Sequence, residues 1–312
     1  MAPAALADEV ARLAGAGDVP LALAVSGGAD SLALMKLAAE AFPGRVHVLS
    51  VDHGLRHEAA EECALVARLA AGLGVPHRIL TLSLVPGGNV QARARQARYA
   101  AMADWCRANA VPFLLTAHHA DDQAETLLMR LARGSGATGL SGIRGRVVLD
   151  GVTLLRPLLG WRRAALGEIV RKAGWTPVDD PSNRDPAYDR TRARALLTQA
   201  DWLSADRIAA TAAHLAEAED ALAWAEERAF DTRVTPAGDA LLIDPQALPG
   251  ELQRRLLARA LAQVGGKPEG PSLQRLLARL SEGGSGTLGA ARVDALPHGL
   301  WRVRPAPPRR TG

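Results

Sequence analysis

Residues able to do chemistry concentrate in three short stretches. Val25-Ser26-Gly27-Gly28-Ala29-Asp30-Ser31 follows an apolar run and opens a helical pattern. Paired glycines let a backbone approach a phosphate closely and adopt conformations closed to other residues. N–H groups at a helix start add anion-binding donors. Ser26, Gly27, Gly28, Ala29 and Ser31 are therefore the expected cradle for nucleotide phosphates. Asp30 repels bare phosphate, and it makes sense if it holds Mg²⁺ or faces the reacting centre. The turn is not G-x-x-x-x-G-K-[ST], whose spacing and Lys it lacks, and it is not G-x-G-x-x-G.

The second stretch is Val51-Asp52-His53-Gly54-Leu55-Arg56-His57, where two His, an Asp and an Arg follow an apolar run. It is either the edge of a site or a plain surface histidine pair; zinc would need further ligands converging from afar. The third runs from Thr116 to Thr126, with His118, Asp122 and Glu125 its most reactive members. A helix beginning near Asp121 puts Asp122 and Glu125 at i, i+3 on one face. Such a pair captures an ammonium group or a metal, or takes the proton from an amine nucleophile. Acidic groups in a first turn also complement the helix dipole, which is a purely structural alternative.

The elements that must position these residues follow from periodicity. Strands are expected at 21–25, 46–51, 77–82 and 111–117, alternating with helices at 6–16, 31–41, 58–73, 89–109 and 121–133. Each crossover is long enough for a parallel βαβ unit. The expected fold is α/β, a doubly wound, mainly parallel sheet whose ligand lies at the carboxyl ends of the strands, near a topological switch point. Residues 134–200 read as an irregular extension with a helix at 162–173. The expected organisation is a catalytic domain over 1–203, a connecting Ala-rich helix over 204–229, a smaller, mostly helical domain over 230–304 and a disordered tail over 305–312.

With 312 residues, 48% of them apolar and 22% charged, the chain has the composition of a globular protein of about two domains. No apolar run reaches bilayer length and no signal sequence opens the chain, so no membrane is expected and the cytoplasm is the expected compartment. Cys63 and Cys106 alone make neither a disulfide framework nor a four-cysteine zinc set. Net charge is only +4, but residues 130–194 hold 13 basic and 6 acidic side chains, a net of +7. A positive field of that kind suits a phosphate backbone, or is a solvated face.

The S-G-G-A-D-S turn at 26–31 resembles the signature of the PP-loop (ATP pyrophosphatase) superfamily. Taken in order, the motifs closely resemble those of the bacterial tRNA(Ile)-lysidine synthetase family: V-D-H-G-L-R at 51–56, N-V-Q-A-R-A-R-Q-A-R-Y at 89–99, T-A-H-H-A-D-D-Q-A-E-T at 116–126, R-G-S-G at 133–136, L-L-R-P-L-L at 154–159 and D-D-P-S-N-R-D-x-x-Y-D-R at 179–190. Gln91 stands where the family usually has Glu, and Thr191 follows Asp189-Arg190 where Asn is usual. The resemblance implies an ATP-consuming ligase acting on a CAU-anticodon tRNA(Ile) and free L-lysine, with AMP and diphosphate released. It implies that the glycine turn, His53 and His118 bind ATP, that Asp30 lies near Mg²⁺, and that Asp122 and Glu125 bind lysine. Arg95, Arg98, Arg133, Arg190 and Arg194 would meet tRNA, and the smaller domain would contact it too. A homodimer is compatible with the sequence.

Overall fold

The computed structural model describes residues 2–15, 17–52, 58–82, 90–178, 189–268 and 270–307. The chain forms two compact units, Met1–Ala216 and Glu217–Gly312. In the first, α1 (Ala2–Ala14) precedes β1 (Leu21–Ala24), α2 (Ala29–Ala41), β2 (Val46–Asp52), α3 (Glu58–Gly72), β3 (His77–Thr81), α4 (Val90–Ala108), β4 (Phe113–Leu115) and α5 (Ala120–Ala132). Then come α6 (Ala137–Leu140), β5 (Arg146–Leu149), β6 (Val152–Leu155), α7 (Arg163–Lys172) and α8 (Asp189–Gln199).

The strand order is β3-β2-β1-β4-β6-β5. Neighbours are parallel except β5, which runs antiparallel to β6. The chain steps outward from β1 to β3 and then returns to place β4 on the other side of β1. The switch point therefore lies between the carboxyl ends of β1 and β4, which lead into Ser26 and Thr116. Both sheet faces are covered, as a parallel sheet requires. Leu23, Leu32, Leu34, Leu115 and Leu166 belong to one core, and Leu49, Met102, Cys106 and Leu114 to the other. α2 is apolar nearly all round, and it is buried accordingly.

The described residues between 134 and 200 are more regular than the sequence suggests. Residues 146–155 form the β5–β6 hairpin, closed by Asp150 (φ 48°) and Gly151 (φ 80°). Two residues with positive φ match the type I′ turn that Asp-Gly favours. β6 thereby extends the parallel sheet beside β4. Gln123 fastens the following loop: its side-chain N–H₂ donates to the Ile143 carbonyl (2.8 Å) and its oxygen accepts from the Ile143 N–H (2.6 Å). Gly142 must be glycine there, because a Cβ would sit 2.4 Å from the Gln123 oxygen.

The helix α9 (Ala205–Arg233) runs through the boundary between the units. After it come β7 (Val234–Ala237), β8 (Ala240–Ile243), α10 (Gly250–Gln263), α11 (Gly270–Ser281), β9 (Ser285–Leu288), β10 (Ala291–Ala295) and β11 (Trp301–Pro305). Helices dominate by length, and the strands assemble into one antiparallel sheet, ordered β7-β8-β11-β10-β9. One sheet face packs Ile243, Val293, Trp301 and Val303 against Leu256, Leu261, Leu273 and Leu276. Pro305, where the tail was expected to begin, closes β11, and the Ala306 N–H donates to the Ala290 carbonyl.

Arg255, only 7% exposed, ties α10 to the second half of α9. It reaches Glu219 (2.7 Å), Glu226 (3.4 Å) and Glu251 (2.8 Å). Hydrogen bonds from Arg254 and Arg255 push the Glu251 carboxyl down to about 2 from an ordinary 4.5. Removing the cation leaves poorly solvated carboxylates without their partner. Arg255→Met should therefore destabilise the second unit by about 3 kcal/mol, read as a lower denaturant midpoint. Because Glu251 is depressed in the folded state, the ion pair's contribution is complete above pH 4.5 and is lost as pH falls toward 2. Arg254 keeps its own bond to Glu251 in the variant, so the gap between wild type and variant should narrow over that range.

Candidate active site

The β1 turn is built for close approach. Gly27 has φ +86°, and a Cβ there would meet Val178 at 3.1 Å. Its carbonyl accepts from the Val178 N–H. Gly28 is the N-cap of α2 and no side chain caps that helix, so its first N–H groups are left for an anion. The Ser31 hydroxyl holds the turn together: it donates to the Gly28 carbonyl (2.9 Å) and accepts from the Ser26 N–H (3.2 Å). The Oδ1 atom of Asp30 is buried without a hydrogen-bond partner.

The β4 turn meets it from the other side of the switch point. His119 is the N-cap of α5 and closes a capping box with Asp122. The Asp122 N–H donates to His119 Nδ1 (3.3 Å), and the His119 N–H donates to Asp122 Oδ2 (3.1 Å). An accepting Nδ1 leaves the ring proton on Nε2, which lies 3.4 Å from Asp30 and 3.5 Å from Asp122. Burial pushes the imidazole pKa down, but the Asp30 contact and the charges of Asp122, Asp30 and Asp121 outweigh it and hold the pKa above its ordinary value. Asp121 is engaged elsewhere: its carboxylate accepts from the Arg163 N–H (2.8 Å) and from Arg162 (3.1 Å), fixing the start of α7. His119 is the residue that sequence reasoning passed over; its position just before an acidic helix start was the available signal.

Glu125 is 2% exposed and lies between two arginines, Arg194 Nε at 2.8 Å and Arg190 Nε at 3.1 Å. Asp122 is 3.8 Å from Arg190. So Asp30, Asp122 and Glu125 do converge, but Arg190 and Arg194, expected to hold RNA, are turned onto the carboxylates. Arg133 pairs with Asp189. Other cations of the basic stretch are also occupied by the protein: Arg130 donates to the Gly139 and Gly142 carbonyls, Arg144 to that of Ala216, and Arg156 to that of Arg144. Part of the local excess of +7 is therefore taken up by partners within the protein, while Arg163, Arg171 and Arg192 stay exposed.

A cavity of about 420 Å³ opens between the two turns, lined by Ser26, Gly28, Asp30, His118, Asp122 and Arg190 among others. Arg98 and Tyr99 form part of its wall. The guanidiniums of Arg95 and Arg98 lie 5.1 and 5.4 Å from the Tyr99 ring centroid. His118 Nδ1 is 2.9 Å from the Thr116 hydroxyl. Burial, then the charges of Arg156, Arg95, Arg190 and Arg98, push its pKa down to about 3, so at neutral pH it is an uncharged ring. Cys63 also lines the cavity, and burial raises its thiol pKa; Cys106 is raised to about 12. Another cavity, about 460 Å³ between His47, His77 and Trp105, has no carboxylate and lies toward the start of β2 and β3. Its position and chemistry exclude it as this site. His53 and residues 179–188 lie outside the described residues, as does the side chain of Gln91.

Residues 5–201 match the family model of the PP-loop domain. The tRNA(Ile)-lysidine synthase of Novosphingobium aromaticivorans is 49% identical over 293 residues, covering 93% of this chain and 90% of that protein. That of Zymomonas mobilis is 46% identical over 300 residues, covering 93% and 89%. The chain belongs to the tRNA(Ile)-lysidine synthase family. Among solved structures, the U34-tRNA thiolase NcsA from Methanococcus maripaludis with its 4Fe-4S cluster is similar at a TM-score of 0.54 and 14% identity, over 70% of this chain and 77% of that one. That likeness is one of fold alone. In this member of the family the two turns are joined through one histidine.

The joint is testable by itself. His119→Leu would remove the imidazole whose charged form Asp30 and Asp122 favour, a contribution complete below about pH 6.5 and lost as pH rises. The melting temperature should fall by several degrees at pH 6 and by clearly less at pH 9. An equal loss at both pH values would mean that His119 acts only as a helix cap.

Proposed function

We propose that this chain joins L-lysine to the wobble cytidine of a CAU-anticodon tRNA(Ile) in two steps. The C2 carbonyl oxygen of the cytidine attacks the α-phosphorus of ATP. The bond from that phosphorus to the bridging oxygen breaks, and diphosphate leaves. The ε-amine of lysine then attacks C2, the bond from C2 to the activated oxygen breaks, and AMP leaves with that oxygen. One amine proton is lost. The product, lysidine, makes the tRNA read AUA. Such a reaction belongs in the cytoplasm with its tRNA, and no described helix is long and apolar enough to cross a membrane.

The observation that carries this reading is that the glycine turn and Asp122 of α5 line one cavity and are joined at His119, with Glu125 buried behind them between Arg190 and Arg194. The free N–H groups of α2 and the hydroxyls of Ser26 and Ser31 would take the ATP phosphates. Asp30 Oδ1, buried without a partner, fits a cation. A single carboxylate oxygen suits Mg²⁺, which keeps waters and phosphate oxygens as its remaining ligands. Bound there, Mg²⁺ would offset charge on the departing diphosphate. Asp122, on the cavity wall, would receive the lysine ammonium, while Glu125 holds Arg190 and Arg194 beside it. An anticodon base is already unpaired and can be splayed into the cavity. Tyr99, flanked by two guanidiniums, offers it a stacking surface. Neutral His118 can donate or accept one hydrogen bond beside the base without adding charge.

Thiolation chemistry is the rival that the shared fold raises. It calls for accessible, activated thiols, whereas Cys63 and Cys106 are buried and their thiol pKa values are raised. Cys63→Ser/Cys106→Ser should keep at least half of the wild-type turnover. Asp30→Asn and Glu125→Gln should each lower diphosphate release and lysidine formation by about 10²-fold or more while tRNA affinity changes less than threefold. The assay uses ATP, labelled lysine and the tRNA, with nucleoside analysis of the product. Full turnover in both carboxylate variants would remove these residues from the chemistry.

A further inference from the structure

Ser50 is a hydroxyl in an apolar place. It lies in β2 between Leu49 and Val51, is 1% exposed, and adjoins the cavity between the two turns. A buried hydroxyl is costly unless it is hydrogen-bonded, and this one is bonded twice. Its oxygen donates to the Val25 carbonyl (2.8 Å) and lies 3.0 Å from Nε2 of His77, the first residue of β3. A serine hydroxyl carries one proton. With that proton on Val25, the contact to His77 is donated by the ring, so His77 carries its hydrogen on Nε2. Burial lowers the His77 pKa, which agrees with a neutral ring holding a single N–H. The relay thus crosses three neighbouring strands, from β3 through β2 to the residue that follows β1.

Val25 is where the chain leaves the sheet. Its N–H still pairs with the Leu49 carbonyl (2.9 Å), but β1 ends at Ala24. The next peptide group, Val25 C=O with Ser26 N–H, is planar and turns as one piece. Hydroxyls hold it at both ends: Ser50 on the carbonyl, and Ser31 on the N–H (3.2 Å). Its orientation sets the direction in which Gly27 and Gly28 run toward the start of α2. We propose that Ser50 and His77 are positioning residues for ATP, acting through this peptide group on the phosphate-binding turn rather than by contact with substrate. The proposal rests on the reading that the turn holds ATP phosphates.

The test follows diphosphate release by the full chain with tRNA, varying ATP and lysine in turn. Ser50→Ala should raise the KM for ATP roughly tenfold and leave kcat and the KM for lysine within about twofold of wild type. His77→Leu should raise the KM for ATP by about threefold or more. His77→Gln, which places an N–H at the reach of Nε2, should bring that KM back to within about twofold of wild type. Because His77 acts through Ser50, Ser50→Ala/His77→Leu should be no worse than Ser50→Ala alone. An unchanged KM for ATP in Ser50→Ala, or in His77→Leu if Ser50→Ala fails to fold, would overturn the proposal. So would effects that multiply in the double variant, a Gln variant no better than Leu, or equal losses toward ATP and lysine. If the wild type released no diphosphate, the ATP reading of the turn would fail, and the relay would be judged by proton NMR. The His77 Nε2–H should give a resonance protected from water exchange in the wild type and lost in Ser50→Ala; its absence from the wild type would remove the relay as well.

Discussion

The contact between His119 and Asp30 joins two segments 89 positions apart in the chain. One is the glycine turn after β1; the other is the start of α5 after β4. Both strands end at the switch point, so the sheet brings the turns close without any long loop. The histidine then fixes their relation: its Nδ1 is engaged by the α5 capping box, and its Nε2 is aimed at the carboxylate of the other turn. Asp122 is oriented by the same box, and Asp121 anchors α7. The glycine turn and the acidic start of α5 are thereby held at one cavity.

Charge in this site is arranged by pairing rather than by excess. Arg190 and Arg194 flank the buried Glu125, and a carboxylate at 2% exposure has no water to replace them. Burial first, then the charges of Arg156, Arg95, Arg190 and Arg98, keep His118 neutral. Arg130, Arg144 and Arg156 of the basic segment are turned inward, where they tie loops through backbone carbonyls. The second unit does the reverse on its sheet face, where three arginines share one carboxylate and stay open to solvent.

Much of this was legible in the sequence. The apolar runs before Ser26 and Thr116 are long enough to be buried strands, and the alternation with helices leaves few topologies. The two glycines, Asp30, Asp122 and Glu125 were identifiable by type and spacing alone. The β5–β6 hairpin was harder to see, because its exposed Val147 and Val148 blur the alternation expected of a strand. Its Asp150-Gly151 turn was the stronger signal. In the second unit, strands of four or five residues gave no indication that they close into a single sheet.

Local sequence determined the elements and the chemical types at their ends, because helix caps, glycine turns and apolar runs act over a few residues. Tertiary structure decided the partners. The sequence could not show that Glu125 would lie between Arg190 and Arg194, since those contacts span more than 60 positions and depend on how α8 packs on α5. Nor could it show that His119, rather than His118, would carry the carboxylates. Adjacent residues at a strand-to-helix junction point in different directions, and only the fold fixes which of them faces Asp30.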